Sequence, residues 1–343
     1  MFEDFFGNSL VTRAIERIVQ RDRIPQTLLF HGPEGVGKAT LARRLAAALL
    51  GGADRIERDD LSRPENVALV AEREKWPSER RAEEPLLFAS HPDFLTFPPD
   101  GPLRQLSIQQ IRLLKERAQF KPLHGSRRVF LIDHLDRANE SAANSLLKTL
   151  EEPPGHMVLL LTAENPYDLL PTIRSRAVQF QLSPLSPEEM AAFVQRRGLD
   201  QPERRVALSG GCPGAAVSLD LEKWERRRES MLALLAAGSR IGRFSEWAQQ
   251  AEKLAADRNE KLDALLMVLY SLLEDLVFLR EGQDCLRNAD IQARLAPVAD
   301  TVSFDWIREA VRKADALMQL VRRNVQKTIA LDALVLELRD RAV

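Results

Sequence analysis

Apolar positions in this chain change their spacing part-way along. In the first half, short runs of consecutive apolar residues alternate with stretches where apolar residues recur every three or four positions. Runs at 27–31, 91–97, 127–133, 157–162 and 178–181 have strand length and are bounded by turn residues. Between them the pattern predicts helices. One covers 8–22, with Asn8 or Ser9 as cap and Leu10, Ala14, Ile15, Ile18 and Val19 on one face. Others cover 41–50, 107–119 (capped by Ser107, with Ile108, Ile111, Leu114 and Ala118 buried) and 138–152, stopped by Pro153-Pro154-Gly155. Continuous apolar strands alternating with helices predict an α/β fold, a parallel sheet covered on both faces. After Ser183-Pro184-Leu185-Ser186-Pro187 the strand pattern ends, and helical stripes at 232–237, 262–279 and 307–338 take over. The predicted division is an α/β domain over 1–182, a small helical domain over 183–221 and an all-helical domain over 222–343.

One stretch departs from the alternation. Residues 51–90 carry charges of both signs together with Pro64, Pro77 and Pro85. They read as a polar surface insertion, helical near 64–75 and loose elsewhere.

Composition narrows the class. A chain of 343 residues exceeds one ordinary core, so roughly two or three domains are expected. Lys+Arg 49 against Asp+Glu 50 speaks against a stand-alone nucleic-acid binder, though not against a member of a complex that holds DNA. Only Cys212 and Cys285 are present, far apart, which excludes a disulfide framework or a cysteine-based zinc site and fits a reducing, cytoplasmic setting. Acidic residues stand in Met1-Phe2-Glu3-Asp4 where a signal peptide needs basic ones. No apolar run reaches the length of about 18 residues needed to span a membrane.

The candidate chemistry lies where the first strand meets its helix. Gly32-Pro33-Glu34-Gly35-Val36-Gly37-Lys38 is a Gly-x-x-x-x-Gly-Lys phosphate loop in strand–loop–helix context. Curled glycine backbone, a helix N-terminus and the Lys38 charge together suit a phosphate. The residue after the lysine should carry the hydroxyl that holds Mg²⁺, but it is Ala39; Thr40 comes one residue late, about 100° further round the helix. Asp133, at the end of an apolar run, has the form of the second nucleotide motif, a carboxylate at the C-terminal end of a buried parallel strand. The candidate nucleotide-site residues are therefore Gly32, Gly35, Val36, Gly37, Lys38, Ala39, Thr40 and Asp133.

These motifs, with Asn144-Ser145-Leu146-Leu147-Lys148-Thr149-Leu150-Glu151-Glu152-Pro153-Pro154, Leu169–Arg176 and Gly210-Gly211-Cys212-Pro213-Gly214, resemble the AAA+ clamp-loader family over essentially the whole chain. Within it the chain is most similar to the delta-prime type of bacterial DNA polymerase III subunit. The resemblance implies an AAA+ P-loop domain, a helical lid and a helical collar. It implies a hetero-pentameric ring with gamma/tau and delta subunits, acting on a sliding clamp and on primer-template DNA. Relatives also carry a four-cysteine zinc module where 51–90 lies; with no cysteine there, no zinc and no other metal is expected.

Three departures bear on activity. Where hydrolysing relatives have Glu after the strand aspartate, this chain has His134. The hydroxyl after the loop lysine is Ala39, and the lid arginine falls, by the glycine motif, on Gly214. Water positioning, metal positioning and charge clamping are each weakened. The retained loop leaves ATP or ADP binding open, while hydrolysis in cis is not expected. Ser175-Arg176 matches the family's Ser-Arg-Cys motif, with Ala177 in place of Cys, and the resemblance makes Arg176 an arginine finger acting in trans on a neighbour's ATP. The alternative is an active gamma/tau-type ATPase.

Overall fold

In the computed structural model, residues 1–2, 4–257, 260–320 and 326–342 are described. They form two compact units, one of residues 1–202 with 210–217, the other of residues 203–209 with 218–343.

The first unit is built on a six-stranded sheet in the order β2-β3-β4-β5-β1-β6. The strands are β1 (Thr27–His31), β2 (Phe88–His91), β3 (Phe94–Phe97), β4 (Arg128–Ile132), β5 (Met157–Ala163) and β6 (Val178–Gln181). All neighbours pair in parallel except β2 with β3. The fold class expected from the alternation is therefore present, as a mixed rather than purely parallel sheet. Each central strand is mostly apolar because both faces are covered, and the pleat sends successive residues to opposite sides. Leu28, Phe30, Val129, Leu131, Val158 and Leu160 join a core with Leu41 and Leu45 of helix Lys38–Leu50 and Ile15 of helix Ser9–Gln20. Leu29, Phe130, Ile132, Leu159 and Leu161 face the other way, onto Ile111 and Leu114 of helix Ile108–Ala118 and Leu146 of helix Glu140–Glu151.

Two local expectations need correction. Residues 51–90 are helical at Pro64–Arg73, as expected, but the rest is not all loose. They contain helices Ala53–Ile56, Pro64–Arg73 and Ser78–Glu83, and they supply β2, the antiparallel edge strand. Most of their charges are exposed, but a few are internal ties. Arg73, nearly buried, grips Asp100 with Nε at 3.1 Å from Oδ1 and Nη2 at 2.7 Å from Oδ2, and donates to the Glu84 carbonyl at 2.6 Å. The guanidinium groups of Arg73 and Arg80 lie over the Trp76 ring, 4.5 and 3.6 Å from its centre. A polar composition can be turned inward when each charge finds a partner. The second correction concerns Asn8. It does occupy the cap position of helix Ser9–Gln20, but in a left-handed conformation and with no capping bond. Its side chain instead exchanges hydrogen bonds with Ser183, which ties the start of the unit to the end of the sheet region. Ser107 caps as expected, in a capping box with Gln110.

The second unit is helical. Helix Leu262–Arg280 is apolar almost all round, as a helix enclosed by others must be, and it lies within a core with Leu234, Leu235, Trp247, Leu295, Trp306 and Leu331. Several buried polar atoms there are paired: Trp247 donates to Asp332 at 2.7 Å, Trp306 donates to the Leu338 carbonyl at 2.9 Å, and Asp275 accepts from the backbone N–H groups of Arg287 and Asn288. The stripe expected over 307–338 falls into helices Phe304–Leu320 and Lys327–Arg341, with 321–325 outside the described residues. No helix among the described residues is long and apolar enough to cross a membrane.

Candidate functional site

β1 ends at the edge of the sheet's C-terminal side, and the phosphate loop turns there into helix Lys38–Leu50. Gly35 takes φ +78° and Gly37 φ +107°, which side chains with a Cβ rarely adopt. Space forbids a Cβ at Gly35 as well, since it would lie 2.8 Å from the Ala215 backbone nitrogen. Val36 is buried, and Ala39 and Thr40 are half-buried on the first turn of the helix.

Lys38 does not project into an open cradle. Its side chain is 5% exposed, and its Nζ donates to the loop's own carbonyls, Gly32 at 2.7 Å and Pro33 at 2.8 Å. Burial pulls its pKa below the ordinary lysine value, against the opposing attraction of Glu164, Asp133, Glu34 and Asp136. The loop is also held from outside. The Gly214 N–H donates to the Gly35 carbonyl at 2.7 Å, and the Phe5 ring lies where a Cβ on Gly37 would meet it at 3.2 Å. Gly214, the position aligned with the family's lid arginine, is thus a backbone contact to the phosphate loop.

Asp133 stands beside the loop as its position on β4 requires, nearly buried. Its Oδ1 accepts from Thr162 Oγ1 at 2.6 Å, and the same Thr162 oxygen accepts the His134 N–H at 2.8 Å. His134 itself has φ +51°, a left-handed conformation unusual for a non-glycine residue. Thr162 on β5 is a site residue that sequence reading passed over; its signal was a hydroxyl inside an otherwise apolar strand. Around it stand three more: Glu164 accepts from Arg137 Nη2 at 3.1 Å, Arg137 Nη2 lies 3.7 Å from Glu34, and His134 Nδ1 lies 3.7 Å from Glu164. Burial pushes the Asp136 carboxyl up, against the attraction of His134. A cleft of about 300 Å³ opens here, lined among others by Glu34, Asp133, His134 and Arg137.

Arg176 belongs to a different locality. It follows helix Pro171–Arg174, is exposed, and its guanidinium donates to the Thr172 carbonyl at 3.0 Å and to Glu151 Oε1 at 2.8 Å. Arg174, its neighbour, lies over the Tyr167 ring, 4.9 Å from its centre. The structure therefore brings Lys38, the loop glycines and Asp133 together and leaves Arg176 apart from them, on the surface.

Residues 7–186 match the sequence model of the family described as DNA polymerase III, delta subunit. The chain belongs to the AAA+ clamp-loader family. It is 35% identical over 196 residues to the DNA polymerase III subunit delta' of Pseudomonas aeruginosa, covering 56% of this chain and 54% of that one. It is 30% identical over 218 residues to the delta' subunit of Escherichia coli, covering 62% and 63%. Against the gamma/tau subunit of Mycobacterium bovis the figure is 29% over 197 residues, covering 57% of this chain and 31% of that one. The matched region thus spans about half to three-fifths of these delta' relatives. Among solved structures, a DNA polymerase III gamma subunit-related protein from Thermotoga maritima superposes with a TM-score of 0.46 at 18% identity, over 96% of this chain and 99% of that one.

Proposed function

We propose that this chain is a delta-prime-like structural subunit of a DNA polymerase III clamp loader, one that does not hydrolyse ATP itself and lends Arg176 to a neighbour. It would sit in a hetero-pentameric ring with gamma/tau and delta subunits and support ATP-driven loading of a sliding clamp onto primer-template DNA. The observation that carries this reading is the closed phosphate loop: Lys38 is spent on the Gly32 and Pro33 carbonyls, and Gly214 holds Gly35. A triphosphate would need both loop carbonyls released from the lysine, and the arrangement offers no hydroxyl at Ala39 and no carboxylate at His134 to position metal and water. No catalytic step is therefore assigned to this chain's own loop.

Arg176 suits the opposite role. Its surface partners, a backbone carbonyl and the exposed Glu151, are held by contacts that cost little to exchange. A guanidinium presented from one subunit to the next can lie against the γ-phosphate and offset charge that develops as the bond to the leaving group lengthens. Its fixed charge and planar fork are what a lysine lacks.

The test is a loader reconstituted with Arg176→Ala and Arg176→Lys. A finger of this kind contributes roughly 10³–10⁵ in rate at the site it serves. Both variants should lose that site's share of DNA-stimulated ATPase, and clamp loading should fall with it. Wild-type rates from Arg176→Ala would remove the trans role. A second reading, an active gamma/tau-type ATPase, draws on the intact loop glycines, Lys38 and Asp133 and on the similarity to gamma/tau chains. Magnesium-dependent turnover by the isolated chain, abolished by Lys38→Ala, would establish it instead.

A further inference from the structure

Beside the phosphate loop, outside everything assigned above, three potential ligands converge. A ring nitrogen of His134 and a carboxylate oxygen each of Asp136 and Glu164 lie within 4.8 Å of one another. Two of these side chains share a second property. Nδ1 of His134 and Oδ1 of Asp136 are sealed from solvent and have no hydrogen-bond partner. Buried polar atoms are seldom left so, because desolvation without a bond costs about 1–3 kcal/mol each. Two such atoms aimed at one space, with a third donor beside them, need a common partner.

We propose that His134, Asp136 and Glu164 form a binding site for one divalent cation of the zinc or manganese type. The His134–Glu164 separation of 3.7 Å is already the span of two ligands each about 2.1 Å from a single ion. An imidazole nitrogen with two carboxylates selects this class of ion over Mg²⁺, which prefers oxygen ligands and retains its waters. Local charge agrees: Glu34, Asp133, Asp136 and Glu164 gather here beside Lys38 and Arg137. The His134 ring is oriented by its strained backbone, which Thr162 holds through the 2.8 Å bond to the His134 N–H. Asp133 stands outside this group and accepts from Thr162 through Oδ1. The 300 Å³ cleft lined by His134 and Arg137 gives an ion its way in.

The site has a resident competitor. Arg137 donates to Glu164 at 3.1 Å and lies 3.7 Å from Glu34. On binding, the ion takes Glu164 and the guanidinium moves toward Glu34, so that one positive group replaces another at the same carboxylate. The ion would join the loop after β4 to the end of β5, next to the closed phosphate loop. This site does not depend on the role given to Arg176, and neither experiment decides the other.

The test uses the full chain stripped with chelator and titrated calorimetrically with Zn²⁺ and with Mn²⁺. One ion per chain is expected, with affinity reduced at least about tenfold in His134→Ala and in Glu164→Gln. Arg137→Gln, by removing the competitor, should tighten binding several-fold, an effect that an adventitious surface site would not show. Pulsed electron paramagnetic resonance of Mn²⁺ on the unmutated chain should detect coupling to a histidine nitrogen, which keeps the test valid where a variant fails to fold. No binding, no nitrogen coupling, or wild-type affinity in both His134→Ala and Glu164→Gln would overturn the proposal.

Discussion

Replacing Gly214 with Ala tests whether the phosphate loop is held shut by backbone contact. Gly214 has ordinary helical φ, so the substitution carries no dihedral strain, and in an open helix it should stabilise by about 0.5–1 kcal/mol. Here the added Cβ would land 3.0 Å from both the Cα and the carbonyl oxygen of Gly35. Ordinary contact begins near 3.4 Å, and the atoms met are backbone, held further by the 2.7 Å bond from the Gly214 N–H to that oxygen. Forced overlap in a packed region costs about 1–3 kcal/mol. The balance is a net loss of about 1 kcal/mol, which for a unit of this size lowers the melting temperature by about 2–4 °C. Gly155 is the control, because a Cβ there meets nothing within 4 Å and its alanine variant should be neutral or slightly stabilising. Urea denaturation gives the free energies, and hydrogen exchange over residues 27–50 shows where the loss falls. If Gly214→Ala stabilises as much as Gly155→Ala, and exchange in the loop does not rise, the loop is not held as described here.

Two further outcomes follow from the first unit. Arg73→Ala leaves Asp100 buried opposite no cation and takes one guanidinium from over the Trp76 ring, so urea denaturation should show a loss of about 3 kcal/mol; an effect under about 1 kcal/mol would mean that the insertion is not held by this pair. His91 is buried, and its Nδ1 accepts the Asp93 N–H at 3.1 Å, which requires the neutral ring. Burial lowers its pKa below that of the unfolded chain. Between the depressed folded value and about 6.5 the unfolded state binds more protons, so this contribution is complete above about pH 6.5 and is lost as pH falls below it. His91→Asn, which keeps an acceptor but cannot take the proton, should flatten the fall in urea midpoint between pH 7 and pH 5.5, and an unchanged slope would assign that fall to other groups.

The comparison of chain and structure divides along physical lines. The apolar runs at 27–31, 127–133 and 157–162 specified buried parallel strands because a sheet covered on both faces tolerates few polar side chains, and the glycines and lysine of the loop specified their own turn. The insertion was legible in part: its helix near 64–75 could be read, but its edge strand and the Arg73–Asp100 pair could not, because composition records how many charges there are and not whom they meet. Asn8 misled for a related reason. Its cap position was legible, yet its amide was taken by Ser183, 175 residues away.

The same division runs through the candidate site. Lys38, Asp133, Ala39, His134 and Gly214 could be named in sequence because each occupies a motif position, and motif positions are set by local chain geometry. Whether Lys38 faces outward or back onto Gly32 and Pro33 could not be, since that depends on which oxygen atoms are nearest its ammonium group once the chain has folded. Nor could the meeting of His134, Asp136 and Glu164 be read from the chain. Two of the three follow β4 and one follows β5, and only the parallel register that pairs Ile132 with Leu161 brings the two loops side by side. Sequence by itself determined the α/β class, the phosphate loop and the residues missing from it, because these depend on periodicity and short-range geometry. Tertiary structure alone decided that the loop is closed and that His134, Asp136 and Glu164 converge beside it, because both depend on contacts between segments that the chain holds far apart.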